Sequence, residues 1–366
     1  MQHNTVYVNG VDPDSMDNSI SSCVEDVLLK STNDLEWLSS GDIVLLKPAL
    51  NSGNPYPSTT HPLSIHVVSK ILTQNGAKVV VGDQSGIRNV LHHKEGIIHG
   101  SSKGNYIKSG IGTTNDEQFI GFEEEGWDEG FFHYSSDKTF SWPNGFFITN
   151  WIQKADHIIN LPRLSTHTQA GATLGFKNMI GLIRDDSRME YHANGPYNFF
   201  IKTAAHGSTL KSVDDKSGKF FEKIVGISDA IREKLRLTLF VATKAQATFG
   251  PNKYALELGK SGIAKAYIIE LNPGLVFGSA DPVAAESFGL ALLKDTVKSV
   301  PFLPKLFQRL LLFSNRNALE LENISVQNHP YIRHAMDIGL GKLPDQITYT
   351  NVPNEIQTRL NECIIP

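Results

Sequence analysis

Two histidines and a lysine, His167, Lys177 and His192, are the groups best placed by type to move protons near neutral pH. Histidine titrates close to physiological pH, and a lysine withdrawn from water gives up its proton well below its usual pKa, so either serves as general acid or base. His167 sits in a loop that also holds Arg163, Ser165, Thr166, Thr168 and Gln169. Such a loop can hold a small polar molecule. Fixed cations at Lys47, Arg163 and Arg184 would orient an anionic group, and Asn51, Thr60, His61, Asp83, Thr166 and Asn178 would add hydrogen bonds around it.

Each of these residues has a plainer reading. A loop histidine often only hydrogen-bonds locally, a helix lysine is often solvated, and Lys47 and Asp83 can form a structural ion pair. Asp281 before Pro282 reads first as a helix N-cap, and His206 is a weaker acid/base candidate.

The elements that would position these groups read as strands stopped by proline or glycine. Residues 5–8, 43–48, 77–81, 157–161 and 237–241 are short apolar, β-branched runs, and 267–271 and 275–278 look like the last strands. Helices are expected over 19–38, from Pro62 to a Gly76 stop, over 220–236, and from Asp281-Pro282 to about 297. A further helix is expected to open at Thr168 or Gln169, with Lys177 and Asn178 further along it. Residues 243–252 read as a small-residue loop. Strand, polar loop and helix in repeated order predict an α/β fold: a mostly parallel, Rossmann-like sheet with flanking helices, an irregular insertion and a C-terminal helical extension. In such sheets ligands sit outside the carboxyl ends of the strands, where most of these candidates fall.

The expected organisation is a strand and helix over 1–40, an α/β core over 41–298 with an irregular insertion at 87–147, and an extension over 299–366. A hairpin near 131–142 is expected within the insertion. At 366 residues and 40% hydrophobic content the chain can bury a substantial core. A formal charge of -4 argues against a general nucleic-acid binder. Cys23 and Cys363 alone make no CxxC and no iron-sulfur spacing, and fit a reducing compartment. There is no HExxH and no phosphate-loop motif, and Asp185-Asp186 and Asp214-Asp215 are not ready-made metal sites. No run is long and apolar enough to cross a bilayer and none reads as a signal peptide, so the expected location is the cytoplasm. The apolar run 302–313 predicts core or a subunit interface, making a homo-oligomer, with a membrane-surface or partner helix as the alternative.

Several of these runs together resemble a known family. Leu45-Leu46-Lys47-Pro48, Thr59-Thr60-His61-Pro62 and the run from Gly76 to Asp83 are similar to the amino-terminal half of domain-of-unknown-function family 362. Asn160-Leu161-Pro162, Thr166-His167, Thr173-Leu174, Lys177-Asn178 and Gly181 are similar to its central signature, and Asp281-Pro282-Val283-Ala284 and Gly339-Leu340-Gly341 to its carboxyl-terminal markers. The chain departs from the pattern by lacking the cysteine clusters of ferredoxin-associated relatives, by Arg163 where the family tends to have lysine, and by His61 and Glu286 where it tends to have aspartate. The resemblance implies a fold and a site location rather than a reaction. A fainter likeness to the amino-terminal domain of nickel-dependent lactate racemases rests on no particular residue.

The residues point to an enzyme acting on a small anionic or polar metabolite by acid/base chemistry in a cleft at the carboxyl edge of the sheet, of isomerase, lyase or transferase type. The alternative is a non-enzymatic protein that handles a cofactor or metal. No sequence feature names a cofactor.

Overall fold

The computed structural model describes residues 4–113, 118–193, 219–258, 261–312 and 321–364. In chain order the elements that matter are β1 (Thr5–Val11), α1 (Met16–Ser31), β2 (Ile43–Pro48), α2 (Pro62–Gln74), β3 (Lys78–Asp83), β4 (Gln118–Gly121), β5 (His157–Leu161), β6 (Ser165–His167) and β7 (Gly171–Thr173). They continue with α3 (Gly175–Asn178), α4 (Asp185–Ala193), α5 (Phe220–Gly226), β8 (Leu235–Gln246), β9 (Ile268–Ser279), α6 (Pro282–Lys298), α7 (Phe302–Leu311), α8 (Pro330–Asp337) and β10 (Gln346–Thr350).

These strands make one ten-stranded sheet in the order β10-β1-β9-β8-β5-β2-β3-β4, with β6 joined to β8 and β7 to β6. The pairs β2/β3, β3/β4, β2/β5, β5/β8 and β1/β10 are parallel, whereas β9 runs antiparallel to both β1 and β8. The sheet is therefore mostly parallel, and the carboxyl ends of β2, β3, β5 and β8 share one edge.

Strand periodicity explains how both faces are covered. Val44 and Leu46 of β2 join one buried cluster and Leu45 the other, and Ile159 and Ile158 of β5 divide the same way. On one face α1 presents Ile20, Val24, Val27 and Leu28, and α2 presents Ile65, Val68, Ile71 and Leu72. On the other face α6 lies against the sheet with Val283, Phe288, Leu292 and Leu293 buried. Burial of each such side chain contributes about 1.5–3 kcal/mol. Helix ends follow their sequence punctuation: Pro62 opens α2 after its cap His61, and Gly76 lies just past its end at φ +89°.

Several expected elements differ. No helix opens at Thr168 or Gln169; the ring Nδ1 of His167 accepts hydrogen bonds from Gln169 N (3.0 Å) and Ala170 N (3.1 Å), and Gly171 at φ +77° completes a turn that pairs β6 with β7. The helix waits until Gly175, so Lys177 and Asn178 lie in a single short turn. Helix α1 ends at Ser31 because Asn33, Asp34 and Leu35 take positive φ. The helix expected over 220–236 is α5 followed by a 3-10 turn, Ile227–Ile231. β8 runs to Gln246 through the start of the expected 243–252 loop, and the two expected late strands are the single β9, whose pairing shifts register opposite Ala242 and Lys244. The hairpin expected near 131–142 pairs Phe131–Tyr134 with Phe146–Thr149. Among the described residues no helix is long and apolar enough to cross a membrane.

Candidate functional site

The shared carboxyl edge brings two sets of polar groups together. The first is a closed lock between β2, β3, β5 and α3. Lys47 Nζ, at the tip of β2, donates to Pro48 O at 2.7 Å, pairs with Asp83 Oδ1 at 2.8 Å and reaches Asn178 Oδ1 at 3.5 Å. Asp83 Oδ2 accepts from Leu50 N at 2.8 Å. Burial pushes Lys47 down and Asp83 up, and the ion pair opposes both shifts. Asn178 Nδ2 donates to Asn160 Oδ1 (2.8 Å) and Lys47 O (3.2 Å), and Asn160 Nδ2 returns to Gly175 O (3.2 Å). The ammonium of Lys47 thus has acceptors for all its donors, so Lys47, Asp83 and Asn178 pin α3 to the strand tips.

The second set is cationic and incompletely satisfied. Arg163 is 1% exposed, its Nη1 donates to Ser58 O, and its Nε and Nη2 have no partner among the described residues. Burial lowers its pKa to about 9. Lys177 Nζ donates to Tyr191 Oη at 3.2 Å, and burial, then the charges of Arg188 and Arg163, bring it to about 7. His167 and His192 are driven well below the usual histidine pKa, first by burial and then by Lys177 and neighbouring cations. No carboxylate contributes to the shift of any of these four groups.

The hydrogen bonds fix one role. Because His167 Nδ1 accepts from two backbone N–H groups, the neutral ring carries its proton on Nε2 and presents a donor. The His192 ring lies tilted against Tyr191, ring centres 4.0 Å apart, and its Nδ1 has no partner among the described residues.

The other candidates fall elsewhere. Arg184 is held by Asp186 (3.0 and 2.8 Å) and Trp127 O (3.0 Å) and packs 3.6 Å from the Phe147 ring centre, so the structure does not bring its guanidinium into the cationic set. His61 caps α2 through Nδ1, stands edge-on to Tyr56, and is lowered by burial to about 4. Thr60 Oγ1 bridges Ala49 N (2.7 Å) and Leu161 O, tying the β2 exit loop to β5. Asn51 accepts on its carbonyl from Gly86 N (3.0 Å) and Asn89 Nδ2 (2.9 Å), and its side chain bonds Asn252. Thr166 Oγ1 donates to Gln246 O at 3.1 Å and lines a small recess with Thr248, Lys305 and Gln308. Asp281 caps α6 and also accepts from Lys342 N at 3.0 Å, so the two carboxyl-terminal sequence markers form one structural unit. His206 lies outside the described residues. His167, Lys177 and His192 are all under 10% exposed, so they lie beneath cover rather than along an open cleft.

Three neighbours were not among the sequence candidates. Arg188, 1% exposed, donates to Ser85 O (2.6 Å), Gln84 O (3.0 Å) and Ile183 O (2.9 Å), fastening the β3 exit loop to α4. Tyr191 is the partner of Lys177. Glu286, fully buried in α6, accepts from Phe176 N at 3.1 Å and so anchors the first turn of α3, with its pKa raised to about 8 by burial. Its sequence signals were its place where the resembled family tends to have aspartate and its position inside an otherwise Ala- and Leu-rich helix. Among the described residues no three His, Cys, Asp or Glu side chains come together as a metal-holding group.

A family model described as domain of unknown function (DUF362) matches residues 44–291. The chain belongs to that family. Both polar sets of this DUF362 chain lie within the matched span. No curated protein matches it. Among solved structures, the lactate racemase apoprotein from Thermoanaerobacterium thermosaccharolyticum is similar at 14% identity and a TM-score of 0.36, over 72% of this chain and 54% of the racemase. The DUF362 chain thus spans about half the length of that protein.

Proposed function

We propose that the chain binds a small anionic metabolite beside Arg163 and Lys177 and transfers a proton to or from it. The observation that carries this reading is the buried guanidinium of Arg163, two of whose nitrogens have neither hydrogen-bond acceptor nor carboxylate among the described residues. A buried cation without a counter-ion is costly, and an anionic ligand would supply the missing charge and acceptors. A carboxylate or phosphate offers a guanidinium two parallel acceptors, which a single water does not.

In this reading Arg163 anchors the anion, and the Nε2–H of His167 donates to an oxygen on which charge develops. Lys177, titrating near 7, is poised to take a proton in its neutral form and return it in its charged form. The lock around Lys47 and Asp83 holds α3 so that Lys177 points consistently. This is chemistry of an isomerase, lyase or proton-coupled transferase.

The test is calorimetric titration of the protein with phosphate and with small mono- and dicarboxylates, beside Arg163→Gln. Wild type should bind at least one of these anions, and the variant should lose about tenfold to a hundredfold in affinity, the worth of a charge-assisted hydrogen bond. Equal affinity in the folded variant, or no anion bound by wild type, would refute the reading.

A further inference from the structure

Helix α7 has its amphipathic character turned outward. Phe302, Leu303, Leu306, Phe307, Leu310 and Leu311 recur at helical spacing on one stripe, and each is between 40% and 73% exposed. The polar side chains Lys305 and Gln308 are instead half-buried toward the body, Lys305 pairing with Glu322 at 3.2 Å. A helix serving a globular core faces the other way. Among the described residues, Lys305 also donates to Lys298 O at 3.3 Å, Phe307 stands edge-on to Phe249 at 5.9 Å, and Phe249 packs with Ala266 and Leu312.

The chain next to the stripe is basic. Arg309 lies on α7 itself, Lys298 O accepts from Lys305 Nζ, and Lys253 and Lys265 flank the backbone contact of Ala266, which packs with Phe249 against Phe307. All four cations are exposed, and none pairs with a carboxylate among the described residues. Among the described residues, Glu322 and Glu270 are already paired, with Lys305 and Lys244. We propose that α7 is a membrane-surface docking element that lies along an anionic lipid leaflet, its apolar stripe at the acyl boundary and the four cations against headgroups. Its ten residues are far too few to cross the bilayer. A two-fold contact with a second copy of the chain is the other way to cover the stripe. It would set these unpaired cations against their own kind, so the charge distribution favours lipid.

Sedimentation of the whole protein with phosphatidylcholine vesicles, with and without phosphatidylglycerol, tests this directly. Wild type should pellet with the anionic vesicles, and added salt should release it by screening. Leu303→Glu with Leu310→Glu should weaken vesicle binding about tenfold or more while leaving the thermal melt unchanged, since both side chains are already exposed. Lys253→Glu with Arg309→Glu should cost about tenfold or more on anionic vesicles alone. Wild type remaining in the supernatant with both vesicle types would overturn the proposal. So would light scattering that shows a dimer which the double leucine variant splits into monomers.

Discussion

Lys47 Nζ and Asp83 Oδ1 stand 2.8 Å apart at the tips of the neighbouring parallel strands β2 and β3, with both side chains buried. The pair is roofed by Gly181, where a methyl group would sit 1.8 Å from Asp83 Oδ1 and 2.7 Å from Lys47 Nζ. Asp83→Ala should therefore cost about 3–5 kcal/mol, because it strands a buried ammonium. Gly181→Ala should cost about 1–3 kcal/mol through overpacking at the same point. Denaturant midpoints at constant m-value measure both, and a loss under about 0.5 kcal/mol in either variant would show that the pair is not a structural lock.

Lys177 makes a prediction about pH. Its folded pKa of about 7 lies below the value of about 10.4 in an unfolded chain, so the unfolded state binds more protons between those limits and stability rises with pH across that window. Lys177→Met removes the titration. The variant should gain most relative to wild type below pH 7, and the advantage should shrink as pH climbs toward 10. A stability difference independent of pH between 6 and about 10 would contradict a buried, charge-strained lysine.

Glu286 carries the opposite sign. With a folded pKa of about 8 against about 4.3 unfolded, the native state holds the extra proton, and stability falls as pH rises between those values. Glu286→Gln keeps an acceptor for Phe176 N and loses the titration. It should be close to neutral near pH 5 and more stable than wild type at pH 8. A variant destabilised by the same amount at both pH values would mean that the carboxylate is charged in the fold.

Much of this arrangement was legible in the chain because its punctuation is local. Pro48 and Pro162 close β2 and the β5 tip, Gly82-Asp83 closes β3, and Asp281-Pro282 opens α6, each by backbone rules that need no partner. The hairpin at 165–173 was not legible. Thr168 and Gln169 look like helix-opening residues, and the bonds that make them a turn come from a histidine ring whose direction the sequence does not specify. Periodicity revealed the stripe of α7 but is silent on which way a stripe faces. Arg163 and Arg184 read alike as loop cations, yet Asp186 neutralises one, and nothing among the described residues neutralises the other.

That difference yields a prediction about Arg163 in the ligand-free protein. Arg163→Met removes a desolvated charge and loses only the bond to Ser58 O, so unfolding should be unchanged or harder by about 1 kcal/mol. The matching change Arg188→Met breaks three backbone contacts and should cost about 3 kcal/mol or more. Comparable destabilisation by the two substitutions would show that Arg163 is an ordinary structural arginine.

The claim at the centre is that Arg163 and Lys177 share a buried region whose counter-charge a ligand must bring. Its most direct test is a site-resolved NMR titration of the Lys177 ammonium, alone and with the anion that calorimetry identifies. The Lys177 ammonium should titrate near 7 in the free protein and move upward when the anion is bound. A value near the model-compound 10.4 in the free protein, unmoved by any anion, would contradict it.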